Sequence, residues 1–148
     1  MKIAAGSDAA GLALKRHLLA HLAARGVEVE DVGTYTDASC DYPDFALAVA
    51  RKVGAGEVAF GLLCCGTGQG MAMTANKVAG VRAAVCGDTF SAHATREHND
   101  ANVLCLGERV TGAHLAADIL DAFLGARFEG GRHERRVNKI KALDETKG

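Results

Sequence analysis

The residues with the greatest chemical content are Leu62-Leu63-Cys64-Cys65-Gly66-Thr67-Gly68-Gln69-Gly70. Val58 to Cys64 is apolar apart from Gly61, the pattern of a strand covered on both faces. Met71 to Lys77 is a run of helix formers, which leaves Gly66, Gly68 and Gly70 in the turn between. Glycine at alternate positions lets backbone N–H groups approach a ligand, and a helix N-terminus favours negative charge. An anion or oxyanion therefore fits this turn. Cys65, at the strand's carboxyl end, faces the same cradle, where N–H dipoles would stabilise a thiolate. The turn lacks the glycine spacing of a dinucleotide fingerprint and the lysine of a P-loop. Since a free cysteine in such a strand is also an ordinary core residue, this stretch alone leaves a catalytic thiol and plain packing as alternatives.

A second candidate anion site lies near the C-terminus, where Arg132 and Arg136 stand one helical turn apart and can converge on one phosphate. The alternative is a solvated basic face. His133, between them, either supports the phosphate or caps the helix. The whole chain supplies no such attraction: 17 Lys and Arg against 18 Asp and Glu leave a net charge of −1 over 148 residues. That balance argues against nucleic acid or a membrane surface as partner. No apolar run approaches the roughly 20 residues of a membrane helix, and MKIAAGSD turns polar too early for a signal peptide. The five cysteines, Cys40, Cys64, Cys65, Cys86 and Cys105, form an odd set without CxxC spacing. Free thiols in a reducing, cytoplasmic compartment are expected, with neither disulfides nor zinc.

Alternating strands and helices must position these groups. Strands are expected at Lys2–Ala5, Val27–Val32, Val58–Cys64, Val81–Cys86 and Asn102–Leu106. Helices are expected at Leu12–Arg25, Phe45–Val53, Gly70–Lys77, Thr89–Glu97 and His114–Leu124, with the only proline, Pro43, ahead of the second. Parallel pairing with right-handed crossovers follows, giving a three-layer, Rossmann-like α/β sandwich around a five-stranded parallel sheet. Ligands in such sheets bind beyond the strands' carboxyl ends, where Asp8, the loop at Tyr42, the Cys65 turn and the Gly107-Glu108-Arg109 turn collect. Residues 1–148 read as one domain: an α/β core, 1–125, followed by a segment, 126–148, of different character. In its charged helix, Glu134 to Glu145, Val137, Ile140 and Leu143 make a narrow stripe suited to contact with a neighbouring subunit.

Together, Gly6-Ser7-Asp8, Asp41-Tyr42-Pro43, Cys65-Gly66-Thr67-Gly68, Ala75-Asn76-Lys77, Arg96-Glu97-His98-Asn99-Asp100-Ala101-Asn102, Gly107-Glu108-Arg109-Val110 and Gly130-Gly131-Arg132-His133 resemble the type B ribose-5-phosphate isomerases. Their wider family includes the galactose-6-phosphate isomerases. The resemblance implies aldose–ketose isomerisation of a sugar phosphate through a cis-enediolate, without metal or cofactor. Cys65 would move the proton between C1 and C2, Thr67 would hydrogen-bond the same region, and the amides from Gly66 through Gly68, Gln69 and Gly70 would hold the enediolate oxygens. His98 would open the furanose ring. Asn99, Asp8 and Tyr42 would hold the sugar, and Arg109, Arg132 and Arg136 the phosphate. The family also implies a homodimer, or paired dimers in a tetramer, in which residues around His98 and the C-terminal segment complete a neighbour's site.

Two positions depart from the ribose-phosphate pattern: Ala9 stands where a histidine is usual, and Gln69 where a small aliphatic residue is usual. They keep a tetrulose phosphate or a six-carbon sugar phosphate as alternative substrates. A non-catalytic sugar-phosphate sensor would need the arginines but not Cys65, Thr67 and His98 together. A redox pair of Cys64 and Cys65 would close a strained ring. His17, His21, His93 and His114 are expected to be structural helix residues, and Cys64, Cys86 and Cys105 inert core thiols.

Overall fold

The computed structural model describes residues 1–146. Among these, five strands alternate with helices: β1 Lys2–Ser7, α1 Leu12–Ala24, β2 Glu28–Asp31, α2 Tyr42–Gly54, β3 Phe60–Cys65 and α3 Gln69–Ala75 come first. β4 Ala83–Val85, α4 Thr89–Asn99, β5 Val103–Gly107, α5 Ala113–Gly125 and α6 Arg132–Ala142 follow, with 3-10 turns at Ala9–Gly11 and Leu143–Thr146. All neighbouring strands are parallel, in the order β2-β1-β3-β5-β4.

That order follows from burial. β3 and β5 are apolar throughout and sit in the middle, whereas β2, Glu-Val-Glu-Asp, and the three-residue β4 take the edges. Leucines 14, 18 and 22 of α1 and Ile119, Leu120 and Phe123 of α5 pack on one face with Ile3, Leu62 and Leu104. On the other face, Val49 and Val53 of α2 and Met71 and Ala75 of α3 meet Ala4, Leu63 and Cys105. The chain leaves β1 outward to β2 and returns to β3, so the carboxyl ends of β1 and β3 lie at a topological switch point. The edge strand β4 is closed by Asn76. Its side-chain amide donates to Ala83 O at 2.9 Å and its carbonyl accepts from Ala83 N at 2.8 Å, as a further strand would.

Several boundaries differ from the sequence expectation. α2 begins at Tyr42, placing Pro43 in the first turn, where its missing N–H has no helical partner to lose. α3 begins at Gln69, so Gly70 lies inside the helix rather than in the loop. Cys86 falls one residue beyond β4 but is still buried. The C-terminal stripe divides: Val137 is buried within its own chain, where α6 packs on α4, while Ile140 and Leu143 remain 47 % and 62 % exposed. One burial was hidden among the leucines of α1. Lys15 is fully buried, its Nζ donating to Asp31 Oδ1 and Thr34 O, both at 2.6 Å, a pairing that the charge needs to remain inside.

α1 approaches β3 closely enough to exclude any side chain at Gly11. A Cβ there would lie 2.3 Å from Cys64 C and O and 2.6 Å from Cys65 N. These are backbone atoms of the central strand and cannot move aside. Gly11→Ala is expected to destabilise the fold by about 2 kcal/mol or more, read as a lowered urea midpoint.

Candidate active site

The expected site residues gather in two groups at opposite ends of the sheet. At the carboxyl end, Cys65 closes β3, and the Gly68 N–H donates to its Sγ at 3.0 Å. Gly68 caps α3 with φ +82°, a left-handed conformation that suits glycine and turns this N–H back toward the sulfur. The Gln69 N–H goes to Thr67 Oγ1 at 3.3 Å. The Gly68 and Gln69 amides thus have partners within the turn itself. Gln69 itself is exposed.

Three loops close around this turn. Asp8 follows β1, donating its N–H to Cys64 O at 3.3 Å, and its Oδ1 accepts from Gly11 N at 3.0 Å. Tyr42 lies directly against Gly70, since a Cβ at Gly70 would stand 2.4 Å from its ring Cε1. Arg109 donates its backbone N–H to Gly66 O at 3.0 Å, and its guanidinium covers Gly66, with Nη1 3.4 Å from the position of a Cβ. The sequence reading assigns Glu108 no role. Glu108 donates its N–H to Cys65 O at 2.9 Å while its Oε1 accepts the Leu14 N–H of α1's first turn at 2.7 Å. It thereby binds the loop carrying Arg109 to both neighbours. Its place beside Arg109 was the available signal.

Adjacent residues of a strand face opposite sides. Cys64 accordingly belongs to the α1–α5 core and Cys65 to the α2–α3 side. Burial holds the Cys64 and Cys105 thiols well above the ordinary range, and burial with Asp88 nearby pushes Cys86 up to about 11. All five cysteines are free.

The second group stands at the end of α4. Arg96 is buried, its guanidinium 4.7 Å from the Phe60 ring centre, and its Nη1 donates to Asp100 Oδ1 at 3.0 Å and Ala101 O at 2.8 Å. Arg82 donates to Asp100 O at 2.9 Å. These bonds fix the helix end that presents His98 and Asn99, both exposed. Thr95 Oγ1 donates to Asn99 Oδ1 at 3.1 Å. The His98 ring stacks on that of His133, centroids 4.3 Å apart at 15°. Glu129 lies 3.8 Å from His98 and 3.6 Å from His133. Burial and the neighbouring His98 and Arg132 hold His133 below the usual imidazole range. Arg132 and Arg136 are exposed on α6 beside this pair. The remaining helix histidines have structural partners: His21 meets Asp121 at 2.8 Å, His93 meets Glu97, and His17 and His114 meet edge to face.

Within one chain the two groups do not meet. α4 ends at the amino end of β5, whereas Cys65 pairs with Gly107 at its carboxyl end. A five-residue strand holds them roughly 15 Å apart.

The model of the ribose/galactose isomerases matches residues 3–140. The chain belongs to the ribose/galactose isomerase family. It is 52 % identical over 144 residues to ribose-5-phosphate isomerase B of Escherichia coli (strain K12), covering 97 % of each protein. It is 43 % identical over 141 residues to D-erythrulose-4-phosphate isomerase of Pectobacterium atrosepticum, covering 95 % of this chain and 93 % of that one. Among solved structures, ribose-5-phosphate isomerase B of Clostridium thermocellum matches with a TM-score of 0.98 at 52 % identity over the whole of both chains.

The geometry distinguishes the isomerase's two neighbouring thiols. Cys65 is 6 % exposed and bonded within the turn, whereas Cys64 is fully buried and burial pushes its thiol up. Brief treatment with iodoacetamide near neutral pH is expected to label Cys65 and the partly exposed Cys40 while sparing Cys64 and Cys105. Inorganic phosphate should slow labelling of Cys65 alone. Mass spectrometry of the peptides reads both outcomes, and equal labelling of Cys64 would overturn the assignment.

Proposed function

We propose that this sugar-phosphate aldose–ketose isomerase interconverts ribose 5-phosphate and ribulose 5-phosphate, with Cys65 as the base. The reading rests chiefly on the Cys65 sulfur, which receives the Gly68 N–H at 3.0 Å in a turn covered by the Arg109 guanidinium. The thiolate takes the proton from C2 of the open aldose, giving a thiol and a cis-enediolate. The thiol returns a proton to C1 while the hydroxyl proton passes from O2 to O1, and the ketose results. Thr67 and the remaining turn amides face the enediolate oxygens, Asp8 and Tyr42 border the sugar, and Arg109 supplies positive charge beside the turn.

His98 opens the furanose by moving a proton between the anomeric hydroxyl and the ring oxygen, a task suited to imidazole near neutral pH. Asn99 holds hydroxyls, and Arg132 with Arg136 holds the phosphate. The separation of His98 from Cys65 within one chain supports a homodimer, alone or paired into a tetramer, in which each site takes Cys65 from one copy and His98 with the 126–148 segment from another. Exposed Ile140, Leu143 and Phe90, the last 68 % exposed, fit such a contact. No helix among the described residues is long and apolar enough to cross a membrane. A metabolic enzyme of the cytoplasm, acting without nucleic acid, cofactor or metal in its chemistry, is the accompanying reading.

Mixing two inactive variants tests this arrangement. Cys65→Ala and His98→Asn should each lose about a hundredfold or more in kcat on ribose 5-phosphate. After dissociation and reassembly of a 1:1 mixture, statistical pairing should restore about a quarter of wild-type activity, because each mixed dimer has one intact site. Lack of recovery, with mixed dimers present by native mass spectrometry, would place the two residues in separate roles.

Ala9 favours a second reading, a tetrulose phosphate as substrate. It stands in the 3-10 turn directly after Asp8, half-buried at the carboxyl edge. An alanine there withdraws a side-chain donor from the sugar, which lowers binding of a substrate reliant on it by roughly 0.5–3 kcal/mol. Ala9→His should shift the kcat/KM ratio toward ribose 5-phosphate over erythrulose 4-phosphate in direct competition. An unchanged ratio would remove Ala9 from the determinants of substrate choice.

A further inference from the structure

Away from the sulfur turn, one cluster among the described residues has the composition of a transition-metal site: His98, Glu129 and His133. The same Glu129 Oε1 lies 3.8 Å from His98 Nε2 and 3.6 Å from His133 Nε2, and the three donor atoms all fall within 4.8 Å of one another. A tetrahedral ion with ligand bonds of roughly 2.0–2.1 Å requires ligand-to-ligand edges of roughly 3.3 Å. Each nitrogen–oxygen edge is therefore within a few tenths of an ångström of the required length. The exposed His98 and Glu129 side chains can turn to close the difference, while His133, 13 % exposed, stays in place.

The scaffold is set by backbone bonds that do not depend on the side chains. Glu129 donates its N–H to Glu97 O at 3.0 Å, tying the loop to α4, and His133 donates its N–H to Gly130 O at 3.1 Å at the start of α6. A bound ion lies in the plane of each imidazole that holds it, so coordination requires the exposed His98 ring to turn out of its near-parallel stack on His133. Arg132 and Arg136 act against a bare cation. They limit the affinity, and they favour an ion whose open position carries an anionic or hydroxide ligand. Two imidazoles and one carboxylate select borderline ions such as zinc over magnesium or calcium, which demand oxygen ligands.

We propose that His98, Glu129 and His133 form an inhibitory site for a divalent transition ion, zinc being the chemical type. Coordination through Nε2 takes up the lone pair that His98 uses in ring opening. The inhibitory consequence thus rests on the proposed role of His98, whereas the binding does not.

Cobalt(II) is the probe, titrated into the full chain with a non-chelating phosphine reductant. The expected result is saturable visible absorption of a four- or five-coordinate nitrogen–oxygen site, displaced by zinc and unaffected by magnesium. Glu129→Gln and His133→Asn, each checked for folding by circular dichroism, should weaken binding by about tenfold or more. Zinc should slow ribose 5-phosphate turnover reversibly on chelation, and Glu129→Gln should require about tenfold more zinc relative to its own metal-free rate. Absence of saturable binding, thiolate charge-transfer bands, or equal affinity in both variants would overturn the site. Normal binding with undiminished turnover would overturn its inhibitory character. An error in the role of His98 would leave the cobalt spectra and their dependence on Glu129 intact, so the two failures are distinguishable.

Discussion

The candidate site depends on how the loop after β5 is fastened to the end of β3. Glu108 and Arg109 donate successive N–H groups to Cys65 O and Gly66 O at 2.9 and 3.0 Å, which extends the β3–β5 ladder beyond the strands themselves. The carboxylate of Glu108 then takes the Leu14 N–H at 2.7 Å, so a helix N-terminus and two strand ends share one acidic residue. A carboxylate at that position also satisfies a donor that a helix start leaves without a partner and opposes its positive end. The sulfur, the turn amides and the Arg109 guanidinium occupy defined relative positions because this fastening leaves their backbones little freedom. Close approach elsewhere serves the same end, as at Gly11 beneath Cys64 and at Gly70 beneath Tyr42.

The end of α4 is built on a different principle. Here the helix is anchored by charge rather than by extension of the sheet. Asp100, in the left-handed conformation with φ 49°, receives both Arg96 and Arg82, and Arg96 lies over Phe60 in the core. Arg96 is almost fully buried, so its guanidinium needs these partners to remain there. His98 and Asn99 are thereby exposed on a rigid support. The motif from Arg96 to Asn102 reads as a run of mostly polar residues, yet its members divide between anchoring inward and presenting outward.

Much of this was legible in the sequence, because the features concerned are local. Unbroken apolar runs located β3 and β5, glycine marked the turn after Cys65, and spaced leucines gave α1. The paired Arg132 and Arg136 did emerge on one helix. What the sequence withheld depends on contacts between distant segments. The order β2-β1-β3-β5-β4 is decided by which strands can be covered on both faces. The burial of Lys15 depends on Asp31 and Thr34, some twenty residues away and in another layer. The anchoring role of Glu108 depends on α1, 94 positions earlier. Glu129 stands in a glycine-rich loop with no periodicity, so its meeting with His98 had no signal in the chain. The placement of His98 far from Cys65 follows from strand direction, since a helix leaving a carboxyl end must deliver its last residues to the amino end.

That same directionality keeps the C-terminal segment, packed on α4, away from the Cys65 turn of its own chain. α6 is heavily charged and buries Val137, while Ile140 and Leu143 face outward. One valine is a small contribution against the conformational entropy of ordering a whole helix. Contacts that add to it include the stack of His133 on His98 and the bond from Gly80 N to Asp144 Oδ2 at 2.9 Å. In the proposed assembly, covering Ile140 and Leu143 supplies the remaining apolar burial and orders the helix that carries Arg132 and Arg136. Substrate phosphate would then be recognised by side chains whose positions depend on assembly. In that arrangement phosphate affinity and subunit association would be coupled by the marginal stability of one helix, and neither arginine would need to touch the sulfur turn of its own chain.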